Sequence, residues 1–368
     1  MTNYDSPLKS IQAGNWFKLI CGASFQDLPT IRSLALAYTL AGADCIDVAA
    51  DKAVVRAAQE GILAAQNLQA EAYERGYHPL KPWLMVSLND AEDPHFRKAE
   101  FDVTSCPSVC PQPCIDICPA QAISFNQSTN AGVIDERCYG CGRCLPICPE
   151  QLIFTRAYVS TPQVVAANLE TMAVDAIEIH TQVGNFVSFQ RLWSAISPQL
   201  KQLKLLAISC PDHAKVSEYL RSLYDLISPL SIPLIWQTDG RPMSGDIGKG
   251  TTHAAVKLAQ KVLRANLPGH VQLAGGTNQY TVTKLQQAQM LKKTNKSTGI
   301  IGIAYGSYAR SLLLPIINQL SSVNSLDSLP LKQIQFLETR PDLLWQAVAQ
   351  ANQLVKQIKQ ASLVCANT

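Results

Sequence analysis

Eight of the chain's twelve cysteines lie between positions 106 and 148, in two runs of four, and each run closes on Cys-Pro. Crowded thiols need covalent partners or metal, so this segment constrains the fold more than any other. Disulfide scaffolds are usually small and secreted. This chain has 368 residues, and its start, Met1 to Ser10, lacks the basic-then-apolar pattern of a secretory signal. Metal ligation in a reducing, cytoplasmic setting is therefore the expectation. The other four cysteines, Cys21, Cys45, Cys210 and Cys365, are scattered.

The second run, Cys138-Tyr-Gly-Cys141-Gly-Arg-Cys144-Leu-Pro-Ile-Cys148-Pro149, has the spacing C-x2-C-x2-C-x3-C-P of bacterial ferredoxins. Two-residue spacers let the backbone curl around one face of a cubane, so three thiolates reach three irons. The fourth cysteine lies beyond that reach and serves the other cluster. The first run, Cys106-Pro-Ser-Val-Cys110-Pro-Gln-Pro-Cys114-Ile-Asp-Ile-Cys118-Pro119, is wider at its first two gaps. An internal repeat pairs the runs. Cys114-Ile-Asp-Ile-Cys118-Pro-Ala-Gln-Ala-Ile-Ser-Phe125 parallels Cys144-Leu-Pro-Ile-Cys148-Pro-Glu-Gln-Leu-Ile-Phe154, and a short apolar strand is expected after each proline. The pattern predicts two 4Fe–4S clusters with crossed ligands. One takes Cys138, Cys141, Cys144 and Cys118; the other takes Cys106, Cys110, Cys114 and Cys148. Zinc also accepts four thiolates, but its modules usually separate two CxxC pairs by a longer loop.

Outside this segment, apolar β-branched runs alternate with helical stretches. Strands are expected at 17–22, 45–49, 83–88, 176–181, 205–209, 233–238, 270–274 and 300–305. A helical stretch follows each, about 28–41, 52–76, 162–172, 186–200, 213–228, 251–266, 280–293 and 307–320. Eight such units suggest a (β/α)8 TIM-like barrel, an α/β fold whose sites gather at the C-terminal ends of the strands. A doubly wound open sheet is the alternative. The expected division is residues 1–97 for barrel strands 1–3, 98–158 for a ferredoxin-like insertion, 159–325 for strands 4–8, and 326–368 for a C-terminal helical extension.

The barrel mouth would draw on polar strand ends: Ser24, Asp47, Asp51, Asn89, His180, Cys210, Asp212, His213, Asp239 and Arg241. Most such residues simply satisfy loop backbone, and a lone cysteine such as Cys210 is usually a small buried apolar residue. Gly275-Gly276 after strand 7 and Gly306-Ser307 after strand 8 occupy positions where barrels often bind phosphate. FMN is the cofactor such a site would suggest beside a dicluster module, while tight turns explain the glycines equally well. The loop from Asp239 to Gly250 is glycine-rich but lacks the Walker spacing. A net charge of +3 and the lack of basic runs give no support to nucleic-acid binding. No apolar stretch is long enough for a membrane span.

Trp16-Phe-Lys-Leu-Ile-Cys-Gly-Ala-Ser-Phe25, Leu40-Ala-Gly-Ala-Asp-Cys-Ile-Asp-Val-Ala-Ala50, the ferredoxin run and Asp239-Gly-Arg-Pro-Met-Ser-Gly-Asp246 resemble the light-dependent period family, LdpA, of cyanobacteria over nearly the whole chain. The resemblance implies an iron–sulfur protein that feeds redox or light state into the circadian clock. Its implied partners are clock proteins such as KaiA and the kinase CikA, together with an electron donor or acceptor. The family's cluster ligands map onto the eight cysteines above, and no catalytic residues carry over. Two further readings stand beside this one: a ferredoxin-fused barrel oxidoreductase, flavin-dependent if the glycine sites hold phosphate, and a scaffold stapled by purely structural clusters.

Overall fold

The computed structural model describes residues 6–21, 28–90, 97–118, 122–125, 132–134, 138, 142–157, 162–240, 250–292, 298–324 and 335–364. Its strands are β1 (Trp16–Ile20), β2 (Cys45–Ala49), β3 (Trp83–Asn89), β4 (Arg97–Glu100), β5 (Phe154–Ala157), β6 (Ala176–His180), β7 (Leu205–Pro211), β8 (Leu234–Asp239), β9 (His270–Ala274) and β10 (Ile300–Tyr305). Eight of them close a parallel barrel in the order β1-β10-β9-β8-β7-β6-β3-β2, while β4 and β5 pair with each other outside it. The barrel, not the open sheet, is therefore the architecture.

Barrel strands are covered on both faces, so they read as nearly continuous apolar runs. β10, Ile-Ile-Gly-Ile-Ala-Tyr, is buried at every position. The helices are α1 (Pro7–Ala13), α2 (Leu28–Leu40), α3 (Lys52–Asn67), α4 (Gln69–Glu74), α5 (Pro113–Ile117), α6 (Cys144–Ile147), α7 (Pro162–Met172), α8 (Phe186–Ile196), α9 (Val216–Ile227), α10 (Thr252–Arg264), α11 (Thr281–Gln287), α12 (Ser307–Asn324) and α13 (Pro341–Val364). Their buried faces follow helical spacing, as Val216, Tyr219, Leu220, Leu223 and Ile227 do on α9. None of the described helices is long and apolar enough to cross a membrane.

Three details depart from expectation. The long helix after β2 breaks at Leu68 into α3 and α4. Of the helix expected at 280–293, the described residues 280–292 form just the two-turn α11. The unforeseen α1 sends Ile11 into an apolar cluster with Trp16, Cys45, Trp83, Met85, Ala176, Leu205, Ala207, Ile235 and Ile301, which closes the N-terminal end of the barrel.

The cysteine segment leaves the barrel just beyond the C-terminal end of β3 and returns through α7 to the start of β6. Antiparallel pairing of β4 with β5, Arg97 opposite Ala157, brings its entry and exit together. Of the two expected post-proline strands, the second lies at β5. The first is a single antiparallel bridge, Ile123 to Val133, among the described residues. The segment builds its own core from Ala99, Phe101, Val103, Cys114, Ala122, Ile123, Cys138, Cys144 and Ile153.

Candidate metal centre and barrel mouth

Each cysteine run puts its third cysteine on a short helix, Cys114 on α5 and Cys144 on α6. Their fourth cysteines, Cys118 and Cys148, are the residues at which these helices end. Cys114, Cys138 and Cys144 are buried, and Cys118 and Cys148 pack against the same core. Cys106 titrates above its ordinary value because of burial first, and then because of Cys110, Cys114 and Cys148 beside it. Cys114 is raised by burial too, with Cys148 and Cys110 adding to it. Cys148, from the second run, is thus gathered with the first three cysteines of the first. Cys141 lies outside the described residues.

This donor set fits an iron–sulfur group. The ten described cysteines form no disulfide. Grouped thiols in low dielectric resist ionising together unless a cation neutralises them. Backbone amides also point at sulfur: Ala99 N–H donates to Cys138 Sγ at 3.4 Å and Ala122 N–H to Cys118 Sγ at 3.2 Å. Such bonds offset the negative charge of a thiolate cluster. Among the described residues, no three His, Cys, Asp or Glu side chains form a site for a single metal ion.

The barrel mouth sorts the polar strand ends. Asp51 is the N-cap of α3, accepting from Ala53 N at 2.8 Å and Val54 N at 3.3 Å. Asp212 pairs with Lys261 at 2.7 Å near the surface. His213 is exposed, its Nδ1 accepting from Lys215 N at 3.1 Å. Cys210 is buried, and burial pushes its thiol up to about 12, so it stays protonated. Asn89 and Asp239 end β3 and β8. Ser24 and Arg241 lie outside the described residues.

Asp47 and His180 belong to a network that sequence reasoning missed. Lys18 of β1 is fully buried, pairs with Asp47 of β2 at 2.9 Å, and also pairs with Glu178 of β6. Its Nζ donates to Gln237 of β8 at 3.0 Å. Gln237 Nε2 donates to Glu178 at 2.6 Å and to Ser209 of β7 at 3.2 Å, and Gln272 of β9 donates to Gln237. Ser87 of β3 donates to Asp47 at 2.8 Å. His180 closes the set with Nε2 2.9 Å from Glu178 Oε1. Burial opposes ionisation of Glu178, yet Lys18 and His180 outweigh it and hold its carboxyl below the usual range. Asp47 is pushed up by burial, which Lys18 only partly offsets. The sequence signal for this network was a polar residue at the middle of otherwise apolar strands: Lys18, Asp47, Glu178, Gln237 and Gln272.

The two glycine sites differ. Gly276 has φ +83°, and a Cβ there would lie 2.7 Å from Thr251 O. Thr251 and Thr252 hydroxyls donate to its carbonyl. Its missing side chain thus serves close packing of this loop against the start of α10. Beside Gly306 the nearest atoms to an added Cβ are Arg310 Nη1 at 3.5 Å and Ile20 Cβ at 3.8 Å. Arg310 donates to Ile20 O at 3.0 Å and to Ser307 Oγ at 3.2 Å.

Fold and site together define a class: a parallel eight-stranded α/β barrel carrying an inserted iron–sulfur-binding module. The chain belongs to the light dependent period A family. Residues 168–357 match the model described as "Light dependent period A C-terminal domain", and residues 106–159 match "LdpA Fe-S cluster-binding domain". A relative named "Light dependent period A", from Synechococcus elongatus, is 51% identical over 355 residues, spanning 96% of this chain and 94% of that one. Two solved structures of Mycobacterium tuberculosis tryptophan synthase align over 96% of the chain, covering 98% and 99% of theirs. Their TM-scores are 0.43 and 0.41 at 11% and 10% identity, too remote a likeness to bear on function.

Proposed function

We propose that this protein is a redox-responsive regulator whose module holds two 4Fe–4S clusters with crossed ligands. Cys138, Cys141, Cys144 and Cys118 hold one; Cys106, Cys110, Cys114 and Cys148 hold the other. The observation carrying this reading is the gathering of Cys148 with Cys106, Cys110 and Cys114. Such clusters supply one-electron chemistry at a potential set by burial and by amides such as those of Ala99 and Ala122. The family's name supports a further step: the clusters report light-dependent redox state to the circadian clock in the cytoplasm, through components such as KaiA and CikA. A change in cluster charge or integrity alters the module surface that a partner reads.

Iron and sulfide analysis of anaerobically purified protein, with EPR after dithionite reduction, tests the cofactor. Zinc without an EPR signal would sink it. Cys141→Ala tests the regulatory role. Partner binding and clock response that stay redox-dependent in this variant would show that the cluster held by Cys141 is not the sensor.

A second reading, an oxidoreductase with a phosphate-bearing cofactor such as FMN, is favoured by Arg310. Its guanidinium is largely withdrawn from water beside Gly306 and Ser307, and its described partners are a carbonyl and a hydroxyl, with no carboxylate. Gly275 and Gly276 would contribute backbone only, since the space beside Gly276 is filled. Flavin-free protein after cofactor extraction would remove this reading.

A further inference from the structure

The middle of the barrel is chemically out of place in a structural core. Barrel interiors are ordinarily filled by bulky branched residues. Here Lys18, Asp47, Ser87, Glu178, Ser209, Gln237 and Gln272 meet in that space, six of them buried and Ser87 partly so. They come from seven of the eight barrel strands. Replacing a buried ion cluster by apolar groups usually costs nothing in stability and often adds to it, so the cluster has no obvious structural motive.

Two of its atoms are unfinished. Gln272 Oε1 is buried and has no hydrogen-bond donor among the described residues. His180 spends Nε2 on Glu178, which leaves Nδ1 as the ring's second polar atom. That ring is 37% exposed, at the C-terminal end of β6, opposite Asn89 of β3 and Ser209 of β7 in the register. It faces Glu178 from its own strand, Lys18 and Asp47 from β1 and β2, and Asp90 from the end of β3. Cys210, Asp212 and Asp239 lie farther round the rim, on and beyond β7 and β8. Burial opposes a charged imidazole, but the Glu178 carboxylate outweighs it and the His180 pKa is raised. With Nε2 held 2.9 Å from the Glu178 carboxylate, protonation of the ring turns Nδ1 into an N–H donor above an internally paired polar floor.

We propose that the barrel mouth is a binding site for a small organic molecule with a carboxylate or carbonyl oxygen, which accepts a hydrogen bond from His180 Nδ1. The floor keeps His180 oriented and favours its charged form. Lys18 holds Glu178 ionised, Gln237 donates to Glu178 and is itself tied to Ser209, and Glu178 fixes the ring. Charge-assisted bonds of this kind are stronger than neutral ones. Nothing in this site depends on the clusters.

The test is NMR of the full, cluster-loaded protein carrying 13C-labelled histidine, with the His180 signal assigned through H180Q. Pyruvate is the probe because it carries both groups. Acetate and hydroxyacetone separate carboxylate from carbonyl recognition. The expected result is a saturable shift of the His180 signal with pyruvate and with at least one of the other two. Binding, followed on the pyruvate signals, is lost in H180Q, kept in C141A, and at least tenfold weaker once the pH exceeds the His180 pKa. No His180 response to any of the three compounds would overturn the proposal. So would binding that survives H180Q, or a His180 pKa at or below that of a free imidazole.

Discussion

At the scale of the residue, Lys18 is the most consequential position in the barrel. Its ammonium is the cation between two buried carboxylates. Lys18→Met keeps a side chain of similar length but leaves Asp47 and Glu178 facing each other with no charge between them. The expected cost is about 3–5 kcal/mol in urea unfolding; a loss below about 1 kcal/mol would mean that water already screens the pair. His180 sets a pH dependence of definite sign. A raised folded-state pKa means that its pairing with Glu178 contributes stability fully below the ordinary imidazole value and loses it as pH rises through the raised one. The stability of His180→Gln should therefore fall short of the parent's in mild acid and approach it in mild alkali. Gly276→Ala meets both a φ of +83° and the Thr251 carbonyl 2.7 Å from the new Cβ. Its melting temperature should drop, with a loss exceeding about 1 kcal/mol.

At the scale of the element, the two cysteine runs make opposite assignments for neighbours in sequence. Cys144 opens α6 and Cys148 ends it, yet the crossed ligation proposed above gives them to different clusters. Cys148→Ala should remove the cluster of Cys106, Cys110 and Cys114, while Cys144→Ala should remove the other. Each variant should keep about half the iron, and their EPR signals and potentials should differ. If both variants lost the same signal, ligation would run within each run and the crossing would be wrong. The elements themselves were largely legible in the sequence. All eight barrel strands lie where apolar β-branched runs had them, because strands covered on both faces cannot avoid such runs. The break at Leu68 and the shortness of α11 were not legible. Helical propensity continues through both, yet the backbone leaves the helix at Leu68 (φ −101°, ψ 8°) and turns left-handed at Gln289 (φ +53°).

At the scale of the whole molecule, barrel and module have separate apolar cores. β4 pairs with β5 at the module's base, so its chain ends meet there without disturbing β3 or β6. Removing iron anaerobically with a chelator should melt the module and spare the barrel. Amide exchange should rise over residues 97–157, while the far-UV circular dichroism and main thermal transition barely move. Loss of the main transition would show that the clusters hold the barrel together. The cysteine spacing by itself determined that this chain binds iron–sulfur groups, because thiolates at those intervals suit little else. Alternation of apolar strand and helix determined that the rest is an α/β fold. Only the tertiary structure decided that the eight strands close. Only closure, in turn, brings Lys18, Asp47, Glu178 and His180 together from three strands, with as many as 160 residues between pairing partners. A local pattern fixes which face of a strand a side chain takes, but which charges meet inside the barrel depends on strand order and register.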